Sequence, residues 1–254
     1  MFPFFEAGAS IAIAMTAFYA LLATASLSVR FATRNAAPGM LSAQINAWWR
    51  IFPIVTLALL AYPFGIPILA GLIYLLTLAE LRPYWKDARP LILLLACTTA
   101  GAMLVLAAYT TLPFGPRTNL AWLFYLFILT ALNDIAQFVS GKLFGRHRIA
   151  PVISPNKTWQ GLAGGIVISQ LVSLALGSYL GLAGPLTLSL YGLLLSIAGF
   201  AGDLLFSAAK RRLGIKDFSA LIPGHGGILD RVDSLILTAP LLYCLLRSTN
   251  QGTS

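Results

Sequence analysis

The chain alternates long apolar runs with short polar segments over most of its length. The apolar runs lie at about 8–29, 49–62, 66–81, 91–112, 120–140, 161–181, 184–203 and 234–247. Because about 20 apolar residues in a helix cross the hydrocarbon core of a bilayer, the pattern predicts an all-α polytopic membrane protein. The expected number of transmembrane helices is about eight, within a range of seven to nine.

The second and third apolar runs are the least regular part of this pattern. Both are short, and Pro53, Pro63 and Pro67 interrupt them. Proline lacks a backbone N–H and bends or ends a helix. The stretch 49–81 is therefore consistent with two spans or with one kinked, re-entrant element.

Composition supports a membrane protein with an undivided chain. Hydrophobic residues make up 58% of the sequence, against roughly 45–50% apolar residues in ordinary soluble domains. No Ser-, Pro- or Gly-rich linker is present, so we expect one integral-membrane domain over 1–254. Within it we distinguish an N-terminal multispan region at 1–112 and a region at 120–247 that the motifs below mark as catalytic. Because no Lys or Arg precedes the first apolar run, we expect no cleavable signal peptide and a retained first span.

The distribution of basic residues predicts the orientation of these spans. Fifteen of the seventeen Lys and Arg residues lie in or directly beside the segments 30–48, 82–90, 141–160 and 204–233. Positive residues accumulate on the cytoplasmic side of membrane proteins. We therefore expect these segments to be cytoplasmic and both termini to lie outside. The net charge of +9 is explained by this topology and by anionic lipid, so we expect no nucleic-acid partner.

The segment Gly202–Ser234 departs most clearly from the apolar pattern. It holds nine charged residues in a chain of which only 10% is charged. A charge at the bilayer centre costs about 2.5–3.5 kcal/mol on insertion scales, so this cluster does not itself span. Carboxylates interleaved with Lys and Arg suggest a divalent cation that holds a polyphosphate. The charged residues are Asp203, Lys210, Arg211, Arg212, Lys216, Asp217, Asp230, Arg231 and Asp233.

Glycines in the same segment point to a ligand that the backbone approaches closely. Gly226 and Gly227 lack a side chain that would keep a phosphate away from the chain. His225 stands between glycines in a charged loop, which favours a ligand contact over a place in the core. Asp230 and Asp233 are three residues apart, so they share one face if a helix has begun there.

Two shorter elements carry further candidates. Asp134 lies within an apolar run, and an intramembrane carboxylate is a functional candidate by default. The alternative is a structural aspartate paired with Asn133 or a loop cation. In Ser154–Gly161, SPNKTWQG, Ser154 and Pro155 can cap and start a helix. Lys157 and Thr158 would then form an anion site at its N-terminus.

Together these residues resemble a known enzyme family. The pattern S-x-x-K-R-x4-K-D-x-S-x3-P-x-H-G-G-x2-D-R-x-D, from Ser207 to Asp233, is similar to the signature of phosphatidate cytidylyltransferases, also called CDP-diacylglycerol synthases. SPNKTWQG resembles the SPxKTWEG element of that family, and Asp134 with Gly141 and Lys142 resembles another of its elements. The resemblance covers roughly the C-terminal half of the chain.

The resemblance implies transfer of CMP from CTP to phosphatidate, or to a related lipid phosphate, with Mg²⁺ as cofactor. Whether a second, monovalent cation takes part stays open. Asp203 and Asp230 are the expected metal ligands. The expected catalytic residues are Asp203, Lys210, Arg211, His225, Asp230 and Arg231. The expected substrate-binding residues are Asp134, Lys142, Ser154, Lys157, Thr158, Ser207, Lys216, Asp217, Gly226, Gly227 and Asp233.

The same resemblance implies partners and a location. The partners are CTP, the lipid substrate and the surrounding membrane lipids, and a homodimer is compatible with the family. The expected location is the bacterial inner (cytoplasmic) membrane. Two positions depart from the family pattern: Gln160 stands where Glu is usual, and Gln137 where an aromatic residue is expected. These changes leave the identity of the acceptor lipid open.

Two other functions are compatible with parts of the sequence. A CTP-dependent lipid kinase of the polyprenol or phytol type would use similar phosphate chemistry but transfer the γ-phosphate to a hydroxyl. A transporter or assembly factor would carry charges at the middle of several spans. The charges of this chain collect in segments on one predicted side, which favours an enzyme over a transporter.

Overall fold

The computed structural model describes residues 9–32, 40–219 and 226–251. Within these residues the chain forms eight α-helices and one two-stranded sheet. The helices are α1 Ala9–Ala32, α2 Met40–Leu60, α3 Gly65–Leu81, α4 Arg89–Ala108, α5 Pro116–Phe144, α6 Trp159–Tyr179, α7 Pro185–Arg212 and α8 Leu229–Gln251; the strands are β1 Arg148–Ala150 and β2 Ser154–Thr158. The predicted catalytic residue His225 and the start of the chain, 1–8, lie outside the described residues.

The helices confirm the predicted class of an all-α, multi-pass membrane protein. Six segments in the described part are long and apolar enough to cross a membrane: Ser10–Ser28, Gly65–Tyr84, Arg89–Thr111, Pro116–Phe144, Trp159–Tyr179 and Pro185–Arg212. The apolar part of α2, Trp48–Leu60, is shorter. Helix α8 carries Asp230, Arg231 and Asp233 near its start. The count of eight spans and the sidedness therefore stay predictions.

The uncertain stretch 49–81 forms two helices rather than one kinked element. Helix α2 continues through Pro53 to Leu60, and α3 begins at Gly65. Between them the chain makes a short hydrogen-bonded turn, in which the Ala61 N–H donates to the Leu57 carbonyl at 2.9 Å. The turn sends α3 back toward the polar loops, which is how its last residues come to meet the site described below.

The predicted helix start at Ser154–Pro155 is wrong. Residues Ser154–Thr158 form β2, which pairs antiparallel with β1. A residue before proline disfavours the helical conformation, so Ser154 is extended. The helix begins at Trp159 instead, where the Thr158 hydroxyl accepts a hydrogen bond from the Gly161 N–H at 3.1 Å and caps α6. Lys157 and Thr158 thus do lie at a helix N-terminus, as expected.

The segment 204–233, predicted as a loop, contains the end of one helix and the start of the next. Helix α7 continues to Arg212, and α8 begins at Leu229. The end of α7 is well defined because Gly214 adopts φ 69°, and the Ile215 N–H returns to the Lys210 carbonyl at 3.0 Å. This is the Schellman arrangement that closes many helices. The connection between these two helices, residues 213–228, is called the signature loop below, and the structure describes its parts 213–219 and 226–228.

A buried polar seam joins α5, α6 and α7 and sets the rotation of α5. The Asn133 side-chain oxygen accepts hydrogen bonds from Ser169 at 3.1 Å and from Ser196 at 2.7 Å. Asn133 is 1% exposed, so α5 turns this face toward its two neighbours. One residue on, about 100° around a helix of 3.6 residues per turn, Asp134 leaves this seam. It lines cavities toward α2 and α8 and also a pocket at the start of α6.

Three of the predicted cytoplasmic segments meet on one side of the helix bundle. The Tyr84 hydroxyl, just after α3, donates to the Phe218 carbonyl at 3.3 Å. The Arg211 guanidinium donates through Nε to the Ile153 carbonyl at 3.1 Å. The segments 82–90, 141–160 and 204–233 are therefore in contact, as a shared side requires.

Candidate active site

A charged cavity opens where α2, α5, α7 and α8 meet the signature loop. Its volume is ≈ 330 Å³, within the range of pockets that hold small ligands. Five of its lining residues are aspartates and two are cations. The lining consists of Trp48, Ile51, Asp134, Ile135, Phe138, Asp203, Lys210, Asp217, Asp230, Arg231 and Asp233. Sequence-distant carboxylates are thus brought to one place by the packing of four helices.

The first cation–carboxylate pair of the site joins Lys157 to Asp203. The Lys157 ammonium contacts one carboxylate oxygen of Asp203 and lies 4.9 Å from the centre of the Phe200 ring. The other oxygen accepts a hydrogen bond from Ser207 at 3.2 Å. The side chains are 17% and 31% exposed, so the pair keeps access to water.

The second pair, Lys210 and Asp230, is more enclosed. The Lys210 ammonium lies 2.6 Å from Asp230 Oδ1, and the side chains are 11% and 4% exposed. Asp230 Oδ2 accepts hydrogen bonds from the N–H groups of Phe218 at 3.1 Å and Gly227 at 2.9 Å. Asp230 therefore binds the signature loop at Phe218 and at Gly227, and both of its oxygens already have partners.

Asp134 and Asp233 complete the acidic wall. Asp233 is 7% exposed and accepts the Ser234 N–H at 2.8 Å. Asp134, Asp203 and Asp233 lie close enough to interact electrostatically. Like charges at such separations repel unless a cation lies between or beside them. Lys157 and Lys210 lie beside this wall and supply positive charge.

Glu80 is a site residue that the sequence reasoning did not select. It stands at the end of α3 and is 6% exposed. Its oxygens accept hydrogen bonds from the Ile228 N–H at 2.7 Å, the Leu229 N–H at 3.0 Å and the Ser219 hydroxyl at 2.8 Å. A signal for it existed, because Glu80 is the one charged residue in the sequence of α3. The same criterion selected Asp134.

An apolar groove adjoins the charged cavity. It is lined by Trp48, Ile51, Phe52, Ile54, Val55, Leu69, Ile73, Phe127, Thr130, Ala131, Asp134, Ile228, Arg231, Val232 and Leu235. Four of these residues also line the charged cavity: Trp48, Ile51, Asp134 and Arg231. The two spaces therefore meet at a carboxylate and a guanidinium. Such a junction suits a molecule with an apolar body and a phosphate head.

Comparison with known proteins identifies the family. The family model for the cytidylyltransferase family matches residues 1–249. This chain belongs to the cytidylyltransferase family.

Individual relatives agree with that membership. A phosphatidate cytidylyltransferase of Staphylococcus epidermidis is 43% identical over 132 residues, which is 52% of this chain and 51% of the relative. The enzyme of the same name from Staphylococcus aureus is 42% identical over 129 residues, 50% of each chain. The Escherichia coli protein YnbB, described as uncharacterized, is 46% identical over 136 residues, 52% of this chain and 46% of the relative. The chain thus spans about half the length of the curated relatives it matches.

Most of the site residues predicted from the sequence of this chain meet at the charged cavity and at a pocket beside it. Asp134, Asp203, Lys210, Asp217, Asp230, Arg231 and Asp233 line the charged cavity. A smaller pocket beside it, reached from Asp134 and Asp203, is lined by Ser154, Lys157 and Thr158. Ser207 touches Asp203. Gly226, at φ 77°, sits so close to Asp230 that an added Cβ would lie 2.7 Å from Oδ2.

Three predicted cations are not among the residues that line these cavities. Lys142 and Lys216 are exposed. The Arg211 guanidinium donates to the carbonyls of Ile153 at 3.1 Å and Ile215 at 3.0 Å. It therefore ties the β1–β2 hairpin to the signature loop, and its predicted contact with a phosphate has no support from this geometry.

The two departures from the family pattern have different surroundings. Gln160 accepts the N–H groups of Arg146 at 3.1 Å and His147 at 3.2 Å, and its amide nitrogen lies 2.9 Å from His147 Nδ1. It thus fastens the chain that enters the β-hairpin and does not line the charged cavity. Gln137 is buried and lines the pocket that holds Lys157.

The carboxylates of the charged cavity fit a magnesium ion only with help from a substrate. Among the described residues, no three Asp, Glu, His or Cys side chains are grouped closely enough to hold a metal by themselves. Mg²⁺ in nucleotide enzymes usually binds one or two carboxylates, with phosphate oxygens and water as the other ligands. Both oxygens of Asp203 and both oxygens of Asp230 already have partners, but the Asp203 side chain is 31% exposed and the Asp230 side chain only 4%. Asp203 is therefore the better placed ligand.

Proposed function

We propose that this protein transfers CMP from CTP to phosphatidate, giving CDP-diacylglycerol and pyrophosphate. The observation that carries the proposal is the junction of the charged cavity with the apolar groove at Asp134 and Arg231. A polar nucleotide and a lipid can reach the same point from two directions there. Membership in the cytidylyltransferase family and the names of the staphylococcal relatives support the choice of substrates.

The chemistry needs positioning and charge neutralisation more than acid–base catalysis. An oxygen of the lipid phosphate, already ionised at neutral pH, attacks the α-phosphorus of CTP and forms the new P–O bond. The bond from that phosphorus to the oxygen bridging the α- and β-phosphates breaks, and pyrophosphate leaves with the electron pair. Phosphoryl and nucleotidyl transfer of this kind is accelerated mainly by cations around the phosphates.

The residues of this chain have distinct roles in that step. Lys157, at the start of α6 and over the Phe200 ring, binds a phosphate of CTP when it separates from Asp203. Arg231, at the junction of groove and cavity, binds the lipid phosphate. Lys210 neutralises the leaving pyrophosphate. The apolar groove holds the acyl chains and excludes water from the reacting phosphates.

The proposed cofactor is Mg²⁺, which supplies Lewis-acid neutralisation of the CTP phosphates when bound. Asp203 is its proposed protein ligand. Asp230 becomes available as a second ligand only after Lys210 leaves it for a phosphate oxygen, because Lys210 and two backbone N–H groups now bind its oxygens. A second, monovalent cation stays a prediction.

We place the protein in a bacterial cytoplasmic membrane with the charged cavity on the cytoplasmic side. The bacterial relatives and the position of the basic residues support this. CTP is available on that side only. A homodimer stays a prediction.

Product analysis tests the proposal. The purified protein in detergent, with Mg²⁺ and CTP labelled separately in the α- and γ-phosphates, is given phosphatidate, lysophosphatidate, a polyprenol or phytol. We expect the α-label to enter a lipid that depends on phosphatidate, and the γ-label to appear in pyrophosphate. Transfer of the γ-label to a polyprenol or phytol would instead identify a lipid kinase. Failure of any lipid to promote CTP turnover would contradict both enzymes.

A further inference from the structure

We propose that Glu80 is a positioning residue of the active site, which holds the signature loop and the start of α8 from the N-terminal region. The proposal rests on the proposed function, since it assigns Glu80 a part in CMP transfer. It concerns a residue outside the Ser207–Asp233 signature.

The contacts of Glu80 join two separated points of the chain. Its Oε1 accepts the Ser219 hydroxyl at 2.8 Å and the Ile228 N–H at 2.7 Å, and its Oε2 accepts the Leu229 N–H at 3.0 Å. One side chain of α3 therefore binds both Ser219 in the signature loop and the start of α8. Helix starts have free N–H groups and a partial positive charge, so a carboxylate stabilises them.

Glu80 acts on the site through Asp230. The N–H groups of Ile228 and Leu229 bind Glu80, while the Gly227 N–H binds Asp230 Oδ2 at 2.9 Å. Three successive backbone donors are thus shared between two carboxylates. If the first turn of α8 shifts, Asp230 and the neighbouring Arg231 shift with it, and both line the charged cavity.

The close approach of Glu80 explains a glycine of the signature. A Cβ added to Gly227 would lie 2.5 Å from both carboxylate oxygens of Glu80, which no ordinary contact allows. From its sequence context, Gly227 is predicted to let a phosphate come close to the backbone. In the structure, the group that approaches Gly227 is a carboxylate of the same protein.

Two measurements test the proposal in the full chain in detergent. In Glu80→Gln, an amide group replaces one of the two acceptor oxygens, so we expect hydrogen exchange in the peptide containing Ile228 and Leu229 to be about 10- to 100-fold faster. We expect kcat for CMP transfer to fall about 10- to 100-fold, because a small misplacement of reacting groups has that effect. The KM values for CTP and phosphatidate should change by less than about threefold, since Glu80 does not line the charged cavity. Asp87→Asn is the matched control, an exposed acidic residue of the adjacent segment, and should change neither quantity.

A double substitution tests the contact itself. In the wild-type background, Gly227→Ala should lower kcat at least about tenfold. In the Glu80→Ala background the added methyl group meets no carboxylate, so the double variant should have a kcat less than about threefold below that of Glu80→Ala alone. An equal effect in both backgrounds would overturn the proposal and return Gly227 to a phosphate contact. If Glu80→Gln does not fold, Glu80→Asp takes its place, with an expected loss of about threefold or more in kcat.

The outcomes for Glu80 and for the proposed function are separable. An inactive wild-type protein would contradict the proposed function, and the exchange measurement would still test Glu80. Unchanged exchange at Ile228 and Leu229 in a folded Glu80→Gln variant would overturn the positioning role, whatever the activity. A rise in KM with unchanged kcat would also overturn it, because that result indicates substrate binding.

Discussion

The two lysine–aspartate pairs at the charged cavity have the same chemistry and different surroundings. Lys157 and Asp203 join α6 to α7 with side chains 17% and 31% exposed, and one hydroxyl assists them. Lys210 and Asp230 join α7 to α8 with side chains 11% and 4% exposed, and two backbone N–H groups assist them. An exposed pair contributes about 0–1 kcal/mol and opens easily. Loss of one partner from a buried pair costs several kcal/mol.

This difference indicates a division of labour within one site. The open pair can exchange its partners for a phosphate and a metal ion with little loss of stability. The enclosed pair holds the signature loop in place, and its exchange requires a ligand that offers equivalent contacts. Substitutions in the two pairs should therefore separate stability from catalysis.

The largest effect is expected for Asp230→Asn. It leaves the buried Lys210 ammonium without its carboxylate, so we expect a loss of about 3 kcal/mol in stability together with loss of CTP turnover. Thermal denaturation followed by circular dichroism in detergent measures the first effect. Adding Lys210→Met should restore part of the stability without restoring activity. An unchanged denaturation midpoint for Asp230→Asn would contradict the claim that the Lys210–Asp230 pair contributes more to stability than the Lys157–Asp203 pair.

Asp203→Asn should affect catalysis alone. We expect turnover of CTP to fall by about 100-fold or more, as for other groups that stabilise transition-state charge. Because the Lys157–Asp203 pair is partly exposed, the denaturation midpoint should move by no more than about 4 °C. Because loss of a ligand weakens metal binding, Asp203→Asn should need a higher Mg²⁺ concentration for half-maximal activity than the wild-type protein. Turnover that persists at the wild-type level would exclude Asp203 as the metal ligand.

Lys157→Met should have a smaller effect, concentrated in nucleotide binding. Loss of one charge-assisted contact to a phosphate corresponds to about a tenfold rise in the KM for CTP. The KM for phosphatidate should change little, because Lys157 does not line the apolar groove. Initial-rate measurements with each substrate varied separately distinguish these effects. An equal rise for both substrates would argue that Lys157 does not select CTP.

The smallest effect is expected for Thr158→Ala. It removes the side-chain cap of α6 next to Lys157, which should lower stability by about 1 kcal/mol. The corresponding shift of the denaturation midpoint is about 2–4 °C. Thr158→Ser keeps the hydroxyl and serves as the control, with a midpoint near that of the wild-type protein. A larger loss in the serine variant would mean that packing of the methyl group, and not the cap, is the main contribution.

Local sequence was sufficient wherever one residue had an unusual energetic cost. The charges of Gly202–Ser234 and the carboxylate of Asp134 are too expensive to leave in lipid, and the structure gathers Asp134 and six of the nine charged residues of that segment at one cavity. Glu80 is also a charged residue in an apolar helix, but no motif surrounds it, so it was not among the predicted site residues. Local sequence was less informative about boundaries: Ser154 and Pro155 have residue types that suit both a helix start and a strand.

Partners separated by long stretches of chain required the tertiary structure. Lys210, Arg211 and Lys216 lie near one another in sequence, and the family resemblance predicts a catalytic or substrate-binding role for all three. Lys210 binds Asp230, Arg211 binds backbone carbonyls, and Lys216 is exposed. Lys210 and Arg211 are successive residues of α7, so their side chains point about 100° apart, whereas Lys216 lies beyond the end of that helix at Arg212.

The sequence by itself determined that the protein is helical and crosses a membrane several times, and it predicted phosphate chemistry on one group of polar segments. Apolar length and the cost of burying charge are properties of each segment, so they can be judged from the sequence without knowing which segments contact one another. Only the tertiary structure decided which aspartate pairs with its lysine close to solvent and which one holds the signature loop. That choice depends on burial and on backbone donors from distant segments, including the donors bound by Glu80 of α3.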